Sequence, residues 1–186
     1  TANPDPGKFR IVDFADKNFG MFVGHNTTFY KLCTTTNSGT KWTTRSYPGY
    51  YESVDLFNHK IGAAERRDGA IMTTTNGGAD WIQRNSGTTN HLSKVYFAGK
   101  HNLVAVGSNG TILTTNNSGE SWTPQTSGTT EWLRDVSFSD VNRGTVVGDN
   151  GTILRTIDQG VSWSHQSSGT WEKLNGVTFS DSVNGI

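Results

Sequence analysis

The sequence predicts an all-β chain of four-stranded antiparallel blades stacked as a β-propeller, about four blades and the start of a fifth, forming part of a larger ring. Three observations predict it. Trp42, Trp81, Trp122 and Trp163 fall 39, 41 and 41 residues apart, each three residues after Gly39, Gly78, Gly119 and Gly160. Phe14, Phe57, Phe97, Phe138 and Phe179 step by 43, 40, 41 and 41 residues. Ser-Gly-Thr recurs at 86–88, 127–129 and 168–170. Independent markers that share a period of about 41 residues define a repeat, and solenoid repeats of that length are mostly helical, which nothing here is.

The fourth unit shows the elements most clearly. Residues 132–138 read as strand A, 145–147 as strand B, 152–156 as strand C and 162–166 as strand D, each a short β-type run between clusters of Gly, Asn, Asp and Ser. The third unit matches it at 92–97, 103–106, 111–115 and 121–125, and the second runs from 51 to about 84. The expected blades are 8–46, the most divergent, then 50–86, 90–127 and 131–168, within one propeller domain over 1–186. Residues 172–186 repeat strand A and the beginning of strand B. Because the chain also starts with a strand A, that tail supplies nothing the first blade lacks, and a truncated record of a longer ring is expected. An edge-exposed arc, free to self-assemble, and a four-bladed closure are the alternatives.

Composition narrows the partners. Lys plus Arg and Asp plus Glu both number 16, so no net field steers the chain to nucleic acid or an anionic membrane. No apolar run reaches the roughly 18 residues of a membrane span, and no signal pattern opens the chain. Cys33 is the only cysteine, which rules out an internal disulfide and a cysteine-based zinc site. Neither a cofactor nor a metal is expected. Hydrophobic residues are only 32%, but 6 Trp, 9 Phe and 5 Tyr suit a thin aromatic core repeated many times.

Between strands C and D every unit carries Thr-x-Asn/Asp-x-Gly-x-x-Trp: Thr35, Asn37, Gly39, Trp42; Thr74, Asn76, Gly78, Trp81; Thr115, Asn117, Gly119, Trp122; Thr156, Asp158, Gly160, Trp163. In such a hairpin turn the Asx oxygen and the Thr hydroxyl accept backbone N–H groups and Gly takes a positive φ, while the Trp anchors the hairpin. Asn in place of Asp at three of the four keeps the acceptor and drops the charge, the pattern of a folding device. This is an Asp-box (BNR-like) motif. With Val-Gly-x-x-Gly before it and Ser-Gly-Thr after it, best at 107–122 and 148–163, the repeat resembles the photosystem II assembly and stability factor family and its non-photosynthetic bacterial relatives. That resemblance implies a ring-shaped scaffold that holds a protein partner through a basic patch, in a secreted, periplasmic or lumenal setting.

Catalytic constellations are weak. Phe9, Arg10, Ile11 and Val12 match the Phe-Arg-Ile-Pro motif of sialidases except at Pro, and they fall where strand A recurs in every unit. Asp13, Asp16, Asp140 and Asp181 are candidates for a glycosidase pair by residue type alone. Asp16, Asp140 and Asp181 share one place in the A–B turn, which reads as turn capping. His25, His59, His91, His101 and His165 share no metal or triad spacing. The loops 107–110 and 148–151 are turns, since no helix follows them to bind phosphate.

In such blades the A–B and C–D turns share one rim, and the D–A and B–C loops share the other. The first rim is nearly constant between units and the second varies, which is where specificity is stored. The expected partner-binding residues on the variable rim are Tyr50, Tyr51, Arg66, Arg67, His91, Trp132, Trp171 and Lys173, aromatic and cationic in character. A non-catalytic scaffold for a protein partner is the favoured reading. A carbohydrate-binding or glycoside-hydrolysing propeller, with a glycan on the exposed aromatics, is the alternative.

Overall fold

A computed structural model describes residues 8–25 and 30–179. It contains four antiparallel sheets of four strands, each a meander in chain order. The first is β1 (Lys8–Phe14), β2 (Gly20–His25), β3 (Tyr30–Thr35) and β4 (Thr43–Ser46); the second is β5 (Tyr51–Leu56), β6 (Gly62–Arg66), β7 (Ile71–Thr74) and β8 (Ile82–Arg84). The third is β9 (Leu92–Phe97), β10 (Leu103–Gly107), β11 (Ile112–Thr115) and β12 (Thr123–Gln125); the fourth is β13 (Leu133–Phe138), β14 (Gly144–Gly148), β15 (Ile153–Thr156) and β16 (Ser164–Gln166). These are propeller blades. The position of Phe57 departs from the sequence reading: the residue facing the start of strand B is Phe14, Leu56, Phe97 and Phe138 in turn, so Phe57 lies one place beyond the repeat.

The cores lie between blades. One face of the first blade, with Met21, Val23 and Leu32, packs on Tyr51, Val54, Ala64 and Met72 of the second. Ala63 and Ile71 on the second blade's other face meet Val95, Ala105 and Leu113 of the third. Val104, Val106 and Ile112 then meet Val136, Val146 and Leu154 of the fourth. Among the described residues the first and fourth blades share no packed interface, so the four form an arc. The open face of the first blade shows what stacking conceals: Val12 is 56% exposed, whereas its counterparts Val54 and Val95 are fully buried.

Strand A is the inner edge strand of each blade, and its free N–H groups need partners. At the second and third blades the preceding blade supplies them. Asp13 Oδ2 accepts from Leu56 N at 2.7 Å and Asp55 Oδ2 from Phe97 N at 2.7 Å. One register further along, Ser53 Oγ accepts from Val95 N at 3.3 Å and Asp135 Oδ2 from Val177 N at 2.9 Å. The last bond, with Leu174 N to Gly148 O at 3.0 Å, lays the segment after the fourth blade along its inner edge. The expected start of a fifth strand B, and Asp181, lie outside the described residues.

All four C–D turns have one construction. The Thr hydroxyl accepts the Gly N–H at 3.0, 2.9, 3.2 and 3.0 Å and donates to the Asn or Asp oxygen. That oxygen accepts from the residue four further on at 2.9 to 3.1 Å. Two successive residues take positive φ, the Gly and the residue before it, which is Ser38, Gly77, Ser118 or Gln159. The indole that follows is buried only at Trp81; Trp42, Trp122 and Trp163 are half-buried. On the same rim Asp16 and Asp140 each accept two N–H groups of their own turn, which holds both carboxyls below their ordinary value. Asn58 does the same in the second blade, where charge is not needed.

Candidate binding site

Strand A carries a β-bulge in each blade. The register skips Arg10, Glu52, Ser93 and Arg134, one residue per blade at the same place in the repeat. A bulge re-aims a side chain and ends regular pairing. The four residues therefore leave the ladder at the D–A/B–C rim, near Tyr50, His91, Trp132 and Lys173, which share the repeat position two residues nearer the loop.

The main chain at that position is locked from the facing B–C turn. Tyr50 O accepts from Arg67 N at 3.0 Å, His91 O from Ser108 N at 2.8 Å and Trp132 O from Asp149 N at 2.9 Å. Gly107 and Gly148 permit the approach, since a Cβ there would stand 2.1 Å from His91 O and 2.4 Å from Trp132 O. Gly148→Ala is expected to push the Trp132 carbonyl away and cost about 2–3 kcal/mol, the scale of a lost buried hydrogen bond with added strain. Urea unfolding measures the cost and the Trp132 indole resonance reports the displacement; an unchanged indole signal would place the rim chain elsewhere.

These positions join into a continuous aromatic and charged strip. Arg67 stacks over Tyr50, its guanidinium carbon 3.8 Å from the ring centre, and Arg10 approaches the same ring at 5.0 Å and bonds its hydroxyl. Tyr50 also meets His25 at 3.2 Å and the Tyr30 ring at 5.1 Å. Glu52 is the hub: it pairs with Arg67, with Arg10 at 3.4 Å and with His91 Nε2 at 3.3 Å. His91 packs edge-on to Trp132 at 4.7 Å, and burial, against the pull of Glu52, lowers its pKa. Arg134 lies 4.1 Å over Trp132, whose indole N–H donates to Ser93 Oγ at 2.6 Å. Arg134 grips Asp149 with two bonds of 2.8 and 2.7 Å, which hold that carboxyl below its ordinary value, and Lys173 approaches Asp149 at 3.9 Å.

Of the residues the sequence singles out, Tyr50, Arg67, His91, Trp132 and Lys173 meet in this strip. Arg66 sits under Gly49 and pairs with Asp68 inside the B–C turn. Tyr51 is 2% exposed, donates to Pro48 O at 3.4 Å and has its hydroxyl pKa pushed up to about 12 by burial, so it belongs to the core. Trp171 is 87% exposed and stands apart, beside a groove of the fourth blade. The residues the sequence reading missed are Arg10, Glu52, Ser93, Arg134 and Asp149. The signal for the first four was present in the 41-residue register, where a single column carries Arg, Glu, Ser and Arg. Among the described residues no group of His, Cys, Asp or Glu could hold a metal ion, and no helix is long and apolar enough to cross a membrane.

Fold and rim together define a β-propeller protein. No family model matches the chain, and no curated protein matches it. Among solved structures it is similar to YCF48 bound to D1 peptide, with a TM-score of 0.54 and 16% identity over 98% of this chain and 90% of that one. It is similar to YCF48 from Cyanidioschyzon merolae, with a TM-score of 0.54 and 14% identity over 99% and 93%. An ancestral GH74 enzyme gives a TM-score of 0.67 at 16% identity over 86% of this chain, which spans 24% of that enzyme. The chain is thus a propeller resembling the photosystem II assembly factor in fold.

Proposed function

We propose that this chain is a non-catalytic scaffold that holds a protein segment on the D–A/B–C rim. The observation that carries the reading is the strip itself, in which Tyr50 and Trp132 are each covered by a guanidinium and joined across blades by Glu52 and His91. Such pre-ordered aromatic and arginine side chains lose little freedom when a partner docks, which is the property of binding hot spots. Within the strip Arg10, Arg67, Arg134 and Lys173 stand against Glu52 and Asp149, a local cationic excess that favours an acidic segment. The solved complex of YCF48 with D1 peptide supports a peptide as the class of partner.

A hydrolase has less to stand on. Of the carboxyls with raised pKa values, Glu65 and Asp55 are enclosed between blades and Asp135 is occupied by the backbone N–H groups of Val136 and Val177, and the grooves of the third and fourth blades hold one carboxylate between them, Glu131. Displayed peptides selected on the protein should converge on acidic sequences with aromatic residues, and Trp132→Ala and Arg67→Ala should each weaken the selected peptide about tenfold or more. Peptides that bind equally well to both variants would remove the rim from the proposal.

A further inference from the structure

The outer part of the same rim carries two equivalent grooves that the strip does not use. In the third blade a groove of about 820 Å³ runs between the B–C turn at Asn109, the outer strand at Pro124 and Gln125, and the Ser127-Gly128-Thr129 turn. In the fourth, a groove of about 580 Å³ occupies the same place, at Asn150, His165 and Gln166 and the Ser168-Gly169-Thr170 turn. They adjoin, because His165 lines the second and its Nε2 lies 3.3 Å from Gly128 O at the wall of the first.

The chemistry of these walls is selective. In a chain with 17% charged residues, the first groove is lined by none, only by amides, hydroxyls and backbone above Ile112, Leu113 and Trp122. The second adds Trp171, whose indole is exposed and makes no ring contact among the described residues. A trough of hydrogen-bonding groups, uncharged in the third blade and holding a single carboxylate, Glu131, in the fourth, beside a bare aromatic face matches a sugar, which offers hydroxyls at its edge and a C–H face for stacking. An ionised ligand would find no counter-charge in the first groove. A peptide adding itself as a strand to the outer edge meets Pro124 at the centre of β12, which removes an N–H from that edge.

We propose that these adjoining grooves bind a neutral oligosaccharide, with Trp171 as the stacking platform. The ligand differs from the acidic segment assigned to the strip, and so do the residues. Calorimetric titration with cellohexaose, xylohexaose and mannohexaose tests the site. At least one should bind, Trp171→Ala should weaken it about tenfold, and Thr130→Trp, which places an indole at the matching position beside the third-blade groove, should strengthen it about threefold. Tyr50→Ala and Arg67→Ala should leave it unchanged. No binding of any of the three up to about 10 mM, affinity indifferent to Trp171, or displacement of the sugar by a neutral peptide would each overturn the proposal. A loss caused by Arg67→Ala would move the sugar to the strip and overturn it as well.

Discussion

Trp81→Ala is expected to lower the unfolding free energy by about 3–5 kcal/mol, while Trp42→Ala, at the same place in the repeat, costs less than about 2 kcal/mol. Trp81 is buried in the cluster between the first two blades and contacts the turn at Gly78. Removing its ring forfeits the transfer energy of an indole and leaves a cavity that two sheets must close. Trp42 packs on Phe14 and Phe22, at centroid distances of 6.2 and 4.7 Å, on the open face of the first blade, where water fills the space at once. Urea unfolding followed by circular dichroism measures both. Equal losses would mean that the face bearing Trp42 is covered in solution.

Stability should fall as pH rises from about 4 to 7, by up to about 3 kcal/mol from Glu65 alone. Glu65 is wholly buried between the second and third blades, and desolvation pushes its pKa from 4.5 to about 7 against the single bond from Ser53 Oγ at 2.7 Å. Its other oxygen has no partner. Because the folded protein holds this proton more tightly than the unfolded chain, the contribution is complete below pH 4.5 and lost as pH passes 7. Asp55, raised to about 6 by desolvation and opposed by Lys94, adds to the fall between about 4 and 6. Asp16 and Asp140 act in the other sense, stabilising above 3.8 and losing that effect in acid. Glu65→Gln should flatten the profile between pH 5 and 8. A variant that keeps the full slope would assign the titration to another group.

The fold was legible because a propeller repeats its turns, and turns are written in few residues. Thr115, Asn117 and Gly119 specify a conformation whatever packs against them, so four copies announce four hairpins. What the sequence obscured comes from one insertion. Along a regular strand Tyr51 would be read together with its neighbour Tyr50 as rim, but the bulge at Glu52 turns Tyr51 into the core, at the repeat position that Leu92 and Leu133 hold in the later blades. The same bulge presents Glu52 and Arg134, which look like ordinary strand residues when alternation is assumed. The exposure of Trp171 was legible as a loop residue; its place beside the fourth-blade groove was not, because the groove is assembled from separate turns.

The bonds from Asp13 to Leu56 and from Asp55 to Phe97 each span about one repeat, and every sheet closes within its own segment. The packed contacts therefore lie within one blade or join it to the blade next in sequence. A chain of repeats that contact only their neighbours folds by nearest-neighbour addition. The first and second blades offer a carboxylate, and the third a tyrosine hydroxyl, to the backbone of the blade synthesised after them, so assembly can keep pace with translation and proceed from the amino-terminal side, one blade at a time.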